Sequence, residues 1–494
     1  MKPIRKNGTL FGIVLGFVAG LLVAALVVPK RQQETNSVAA TGPGRTTTGN
    51  VNATSGNVPG GVAGGGQPGA ATASGGTGTA GGGGTDAGGG GALTPAGAGA
   101  GPSGPVVGVT DDKVTIAVTY PDISALKALG PSYDNGDPPE QWRVMIDGWR
   151  RDGLLPVNGR DIELKFRTYN VLNTDEQRAA CRGAVSDDKA FAVVGVAYFE
   201  IGGECVAREF HTPLITSDGP NEDIFARSNP MLFSLSASKS RHLRNFVNWA
   251  HHRGALAGKK IGIYFFDDGV TRDLMNKTIR AELSRLGYAI AAEHSTTQSL
   301  GGPQDAVAVQ RFRDAGVDVA LLFTSKAGFL QAAKAQGYKP LFLESDNEFG
   351  TSDTTTSNYP ADEFDGTLGM TGRRVGETPV GLPLGEDGDA CIANYEQATG
   401  KKTTPETAVW SYILMGCDEG KVLLHGLREA GRNLTTESWI AGVETMRSVP
   451  LTRYAPVSFA PDKHDGGDQQ RTVQWAASCK CWRAQGEFEP LWVG

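Results

Sequence analysis

The chain has 494 residues, enough for two or three domains at about 150 residues each. Acidic residues outnumber basic ones by 53 to 47 and no basic patch stands out, which argues against nucleic acid as the main partner. Six cysteines in a chain that opens on an export-type segment favour disulfides over free thiols.

Lys2, Arg5 and Lys6 precede an apolar run over residues 10–28. As a helix that run rises about 28 Å, close to the ~30 Å hydrocarbon thickness of a bilayer. A cleaved signal peptide has a shorter apolar core of about 7–15 residues, so the run reads as an uncleaved membrane anchor ahead of a signal peptide. The nearest small-residue cleavage motif, at 38–40, lies well downstream of Pro29, Lys30 and Arg31. Either reading exports the rest of the chain and keeps the basic end inside. Residues 32–105 are mostly Gly, Ala, Thr, Ser and Pro, with no aromatic side chain. Such a segment buries too little apolar surface to fold and should act as a disordered tether. Its random-coil reach is roughly 45–50 Å.

From residue 106 the character changes. Residues 113–120 read as a first strand, 138–152 as an amphipathic helix carrying Trp142, Met145, Ile146 and Trp149, and 161–166 as a second strand. A helix over 174–186 leads to the continuous apolar run 191–197, as expected for a parallel strand buried on both faces. Gly202 and Gly203 are expected to make a tight turn into a helix at 204–210. The strand 213–216 then ends in Ser217, Asp218 and Gly219, and 231–237 is a strand that leaves the first half.

The second half repeats helix, glycine, strand. Helices at 239–255, 271–286, 305–315 and 327–336 alternate with strands at 259–266, 317–323 and 341–344. Helices alternating with apolar strands specify an α/β fold with parallel sheets and right-handed crossovers. A strand follows at 366–372, then helices at 389–399, 405–430 and 436–447, and a hairpin over 457–492 turning at 463–467.

Cys181 and Cys205 lie on neighbouring helices, as do Cys391 and Cys417, and each pair is expected to form a disulfide. Cys479 and Cys481, two residues apart on one strand, leave a strained bridge and a pair of free thiols both open. No nucleophile elbow, HExxH helix, Walker loop or nicotinamide fingerprint is present. His251 and His252, at the end of a helix that also carries His242, read as a solvated helix end. Asp267 and Asp268 suit a cap on the helix that begins near Thr271 as well as they suit a metal or a ligand amine. No cofactor and no metal site are expected, and the chain reads as no enzyme.

Residues 181–195, Cys-Arg-Gly-Ala-Val-Ser-Asp-Asp-Lys-Ala-Phe-Ala-Val-Val-Gly, followed by Cys205 and the Pro213-led strand, resemble the type I periplasmic binding proteins. The similarity is greatest to leucine-binding-protein-like, branched-chain amino acid substrate-binding components of ABC transporters, and it spans 108–494. The resemblance implies two Rossmann-like lobes joined by a three-strand hinge. Lobe one is then 106–236 with 366–450 and lobe two 237–365 with 451–494, with crossings near Ser236, Asp365 and Pro450. Residues 1–31 and 32–105 precede them as signal or anchor and as linker.

It also implies a small molecule held between lobes by loops at the C-terminal ends of strands. By position those are Tyr120, Ala197, Tyr198, Phe199, Thr216 and Ser217 in the first lobe. In the second they are Phe266, Asp267, Thr324, Ser325, Lys326, Ser345, Asp346 and Asn347. Amino-acid binders of this type place serines in the loop after the third strand, whereas residues 197–203 here offer no hydroxyl but that of Tyr198. This departure speaks against an amino-acid ligand and makes an aromatic, amide-like or less polar one credible. The function implied is extracytoplasmic solute capture for an ABC permease, with a membrane-tethered sensor as the alternative.

Overall fold

The computed structural model describes residues 105–124, 134–170, 173–195, 199–297, 302–324, 326–347, 350–405 and 407–492. Five of the strands form one sheet: β1 (Lys113–Pro121), β2 (Asp161–Tyr169), β3 (Ala192–Gly195), β4 (Leu214–Thr216) and β5 (Leu232–Ser234), all parallel in the order β2-β1-β3-β4-β5. Parallel strands with helices on both faces bury both sets of side chains. Val114, Ile116 and Val118 of β1 accordingly enter one core and Ala117 the other, while Val193 of β3 parts from Ala192 and Val194 in the same way.

The second sheet has seven strands: β6 (Ile261–Phe266), β7 (Ile290–Thr296), β8 (Val319–Phe323), β9 (Leu341–Ser345), β10 (Leu368–Thr371), β11 (Gln469–Ala476) and β12 (Cys481–Pro490). Its order is β12-β11-β10-β9-β8-β6-β7; β11 alone runs antiparallel, and β12 turns back to the direction of the other strands. Ile261, Ile263 and Phe265 of β6 face one core and Tyr264 the other, which is why these strands read as unbroken apolar runs. Both sheets thus present the C-terminal ends of their parallel strands as one edge each, the position where open α/β sheets bind ligands.

Several expectations need correction. Gly202 and Gly203 make no turn: helix Phe199–Gly202 runs on as a wider helical segment Gly203–Glu209. Gly203 is needed for space, because a Cβ there would stand 2.5 Å from Ile224 Cγ2. β7 was not read from the sequence, since as an edge strand it alternates irregularly between half-buried and buried positions. β10 pairs parallel with β9, so the chain remains in the second sheet beyond Asp365 and leaves it after Thr371. The hairpin turns at 477–480 rather than 463–467, and Phe459 still packs in the core of the first sheet, so the last crossing comes after it and not near Pro450. Among the described residues no helix is long and apolar enough to cross a membrane, and the apolar run 10–28 and the tether 32–105 lie outside them.

Three backbone segments connect the sheets. The first, at 235–238, runs beside the third, at 464–468: Ser234 N donates to His464 O at 2.9 Å and Gly466 N donates to Ser234 O at 2.7 Å. Gly467 sits so close that a Cβ would meet Ala237 N at 2.4 Å. The second crossing begins with Gly372 and Arg373, bridged to Tyr454: Ala455 N donates to Gly372 O at 2.8 Å and Arg374 N to Arg453 O at 2.8 Å.

All six cysteines are bonded, as Cys181–Cys205, Cys391–Cys417 and Cys479–Cys481. Cys181 and Cys205 are completely buried and clamp two helical segments onto the first sheet across 24 residues. Replacing both by serine should lower unfolding free energy by about 3 kcal/mol through loop-closure entropy in the unfolded chain. Urea titration would check this through a lower midpoint and an m-value that rises as the uncross-linked denatured chain expands, and an unchanged unfolding free energy would refute it.

Candidate functional site

Where the three crossings pass between the sheets they enclose a cavity of about 240 Å³. Asp218 to Pro220 after β4 form one side, while Asp346 and Asn347 after β9 form the other. The remaining wall comes from the crossings themselves, including Ser236, Arg373 and Gly467, from Gln470 at the start of β11, and from Lys239 and His242 on helix Lys239–His252.

Each polar side chain is held by local chemistry. Helix Lys239–His252 starts where Ser238 Oγ accepts from Arg241 N at 3.3 Å, and Ser238 N donates to Asp465 Oδ2 at 2.8 Å. Arg241 reaches back to Asp465 Oδ2 at 2.8 Å and to Gly467 O at 2.6 Å, tying the helix start to the third crossing. Burial with such partners makes these hydrogen bonds stronger than exposed ones. His242 lies one residue on, and its Nε2 is buried with no hydrogen-bond partner. Burial lowers its pKa, so near neutrality the ring is uncharged. Gln470 Oε1 accepts from Asn245, leaving Gln470 Nε2 buried and unused.

Asp346 accepts from Thr371 Oγ1 at 2.7 Å, from Gly372 N at 2.7 Å and from Thr351. Burial alone would raise its pKa, but the charge of Arg373 and the hydroxyl donors Thr351 and Thr371 bring it below the ordinary value. Arg373 is placed over the Tyr454 ring, 5.6 Å from its centroid. Its charge is sustained against burial by Tyr454, Asp346 and Asp218. Behind Asp218, on the first-lobe side, Glu419 is completely buried and neither carboxyl oxygen is in a well-aligned hydrogen bond, although Ser217 stands beside it. Burial, then the charge of Asp218, push Glu419 well above its ordinary value, which favours the protonated form.

The residues expected from the sequence fare unevenly. Asp346 and Asn347 line the cavity, and Thr216 and Ser217 immediately precede Asp218. Thr216 Oγ1 accepts from Asp218 N at 3.1 Å, and Ser345 Oγ accepts from Asn347 N at 3.2 Å, so both hydroxyls shape turns. Tyr120 is half-buried at the end of β1, its phenol pushed up by burial and by Asp137. Asp267 is ion-paired with Arg272 at 2.7 Å, and Asp268 Oδ1 accepts from Thr271 N at 2.7 Å as a helix cap. Phe266 ends β6 half-buried, and Thr324 is buried. Lys326 is buried against Glu344 at 3.4 Å. Ala197, Tyr198 and Ser325 lie outside the described residues, as does the side chain of Phe199. Sequence reasoning missed Asp218, Arg373, His242 and Gln470. Locating β10's end at Thr371 would have marked Arg373 by the same strand-end rule, whereas His242 and Gln470 carry no sequence signal.

A periplasmic binding protein family model matches residues 146–480. The chain belongs to that family. Its structural neighbours are type I periplasmic binding proteins of the leucine-binding kind. A branched-chain amino acid ABC transporter protein from Thermus thermophilus with bound valine superposes with a TM-score of 0.60 at 14% identity, covering 77% of this chain and 97% of that one. A leucine binding protein from Thermotoga maritima gives 0.56 at 15% identity, covering 75% and 97%. A solute-binding protein of an ABC transporter from R. palustris in complex with 4-hydroxybenzoate gives 0.58 at 18% identity, covering 77% and 99%. No curated protein matches the sequence significantly. These identities establish a shared fold, within which the cavity of this periplasmic binding protein sits between two sheets.

Proposed function

We propose that the chain captures a small carboxylate-bearing solute, an aromatic acid or an amino acid, in the interlobe cavity and passes it to an ABC permease outside the cytoplasm. The observation that carries this reading is the cavity's composition. Asp218 comes from the first sheet, Asp346 from the second, and Arg373 from the crossing between them. A solute bridging both sides favours a closed arrangement over an open one, which is how binding becomes a signal to a partner. Arg373 supplies the positive charge a carboxylate needs, while His242 Nε2 and Gln470 Nε2 supply unspent polar groups. Valine in one structural neighbour and 4-hydroxybenzoate in another support both solute classes. The apolar run 10–28 serves in this reading as the membrane anchor and 32–105 as the tether.

Thermal-shift and calorimetric screening of the full chain against branched-chain amino acids and hydroxybenzoates tests the proposal. A true ligand at 100 times its dissociation constant should stabilise the protein by about 2.7 kcal/mol. Arg373→Met should weaken a carboxylate ligand at least tenfold, the loss of about 1.4 kcal/mol. A panel of small carboxylates that leaves both the melting temperature and the heat signal unchanged would sink the reading.

A further inference from the structure

The turn between β11 and β12 carries Cys479 and Cys481, bonded across a single intervening residue. Its setting differs from that of the other two disulfides. Cys181 and Cys205 are inaccessible, and Cys391 and Cys417 are half-buried between two helices, but Cys479 and Lys480 are exposed and Cys481 is half-buried. Lys480 has φ of +51°, in the left-handed region that a residue with a Cβ adopts only at a cost. A bridge spanning one residue also constrains the unfolded chain little, so by linkage the native fold adds little to the stability of this disulfide. Both cysteines and Lys480 line a second cavity, of about 320 Å³, beside Trp410, Pro379 and Arg453. The acids in that wall are engaged: Glu377 with Arg374 and Arg471, and Asp353 Oδ1 with Trp482 N at 2.7 Å.

We propose that Cys479–Cys481 is a thiol–disulfide exchange site that takes small thiols or cysteine-bearing peptides. A substrate thiolate attacks Sγ of Cys479, the more exposed sulfur. The Cys479–Cys481 bond breaks, a mixed disulfide forms on Cys479, and Cys481 leaves as a thiolate one residue from the Lys480 ammonium, which favours the anion. A second substrate thiolate attacks the substrate sulfur of the mixed disulfide and expels Cys479. Two substrate thiols thereby lose two electrons and two protons and become a disulfide, and Cys479 and Cys481 gain them as thiols. The pocket wall of Trp410 and Pro379 offers apolar contact to a peptide, while the basic turn suits an acidic thiol such as glutathione.

The full chain, native, is incubated with graded reduced glutathione or with a reduced two-cysteine peptide, quenched with N-ethylmaleimide and mapped by mass spectrometry. Cys479 and Cys481 should label at a thiol concentration at least tenfold below that needed for Cys391 and Cys417, with Cys181 and Cys205 unlabelled. Oxidised substrate should appear in equal amount. A lower half-point for the peptide assigns a peptide substrate, and one for glutathione a small thiol. Lys480→Gly, which relieves the turn and removes the ammonium, should need about fivefold more of the reduced two-cysteine peptide, equivalent to about 1 kcal/mol. Labelling of Cys479 and Cys481 only under conditions that also open Cys181–Cys205 overturns the proposal, as does a half-point unmoved by Lys480→Gly.

Discussion

Glu344→Leu is expected to cost about 3–5 kcal/mol of unfolding free energy, because it strands a charged Lys326 in the second lobe. Lys326 and Glu344 are 1% and 2% exposed, their charges are 3.4 Å apart, and neither Lys326 Nζ nor Glu344 Oε1 has a hydrogen-bond partner. Lys326→Met should cost less, about 1–2 kcal/mol, because Glu344 then escapes its burial by taking a proton. The double variant, Lys326→Met with Glu344→Leu, should recover most of the loss, since an apolar pair of similar volume avoids desolvating two charges. Burial, resisted by Lys326, pushes Glu344 up to about 7 from 4.5. A carboxyl whose folded pKa is raised binds its proton more tightly in the folded state. Its contribution to stability is present below the unfolded value of 4.5 and is lost as pH rises through about 7. Wild type should therefore lose stability relative to the double variant between pH 5 and pH 8. Urea midpoints at both pH values measure this, and a Glu344→Leu protein as stable as wild type would contradict it.

Asp418→Ala should be comparably damaging. Asp418 is completely buried on helix Ala408–Glu429 and accepts from Thr452 N at 2.6 Å, Thr452 Oγ1 at 2.8 Å, Arg453 N at 2.7 Å and Tyr454 N at 3.3 Å. Burial raises its carboxyl to about 6 despite these donors, so the anion they require still predominates above pH 7. Without it, three backbone N–H groups lose their acceptor in a dry site, a loss of about 3–5 kcal/mol in total. Asp418→Asn, with one acceptor oxygen, should fall between the two. The same segment bridges Tyr454 to Arg373, so ligand affinity should drop together with stability. Calorimetry on a ligand found by the screen separates the effects. An Asp418→Ala protein with wild-type midpoint and wild-type affinity would remove the residue from both roles.

The α/β class, the alternation of helices with parallel strands and two of the three disulfides were legible in the sequence, because each follows from local pattern. A parallel strand buried on both faces must be apolar throughout, as β3, β6 and β8 are. The edge strand β7 escaped for the complementary reason: a strand with one open flank need not be apolar. Where the chain leaves each sheet was decided by pairing between segments far apart, such as Ser234 with Asp465 and Arg373 with Tyr454, which no local window contains. The site divides along the same line. Asp346 and Asn347 could be placed by the rule that ligands meet strand ends. Arg373 follows from the same rule applied to the end of β10, whereas His242, inside helix Lys239–His252, and Gln470, inside β11, could not be placed that way, because only long-range packing brings them to the cavity. The closure state of Cys479 and Cys481 likewise depended on the turn that brings them together. Local periodicity determined what this chain builds. Long-range backbone pairing decided which of its charges face one another.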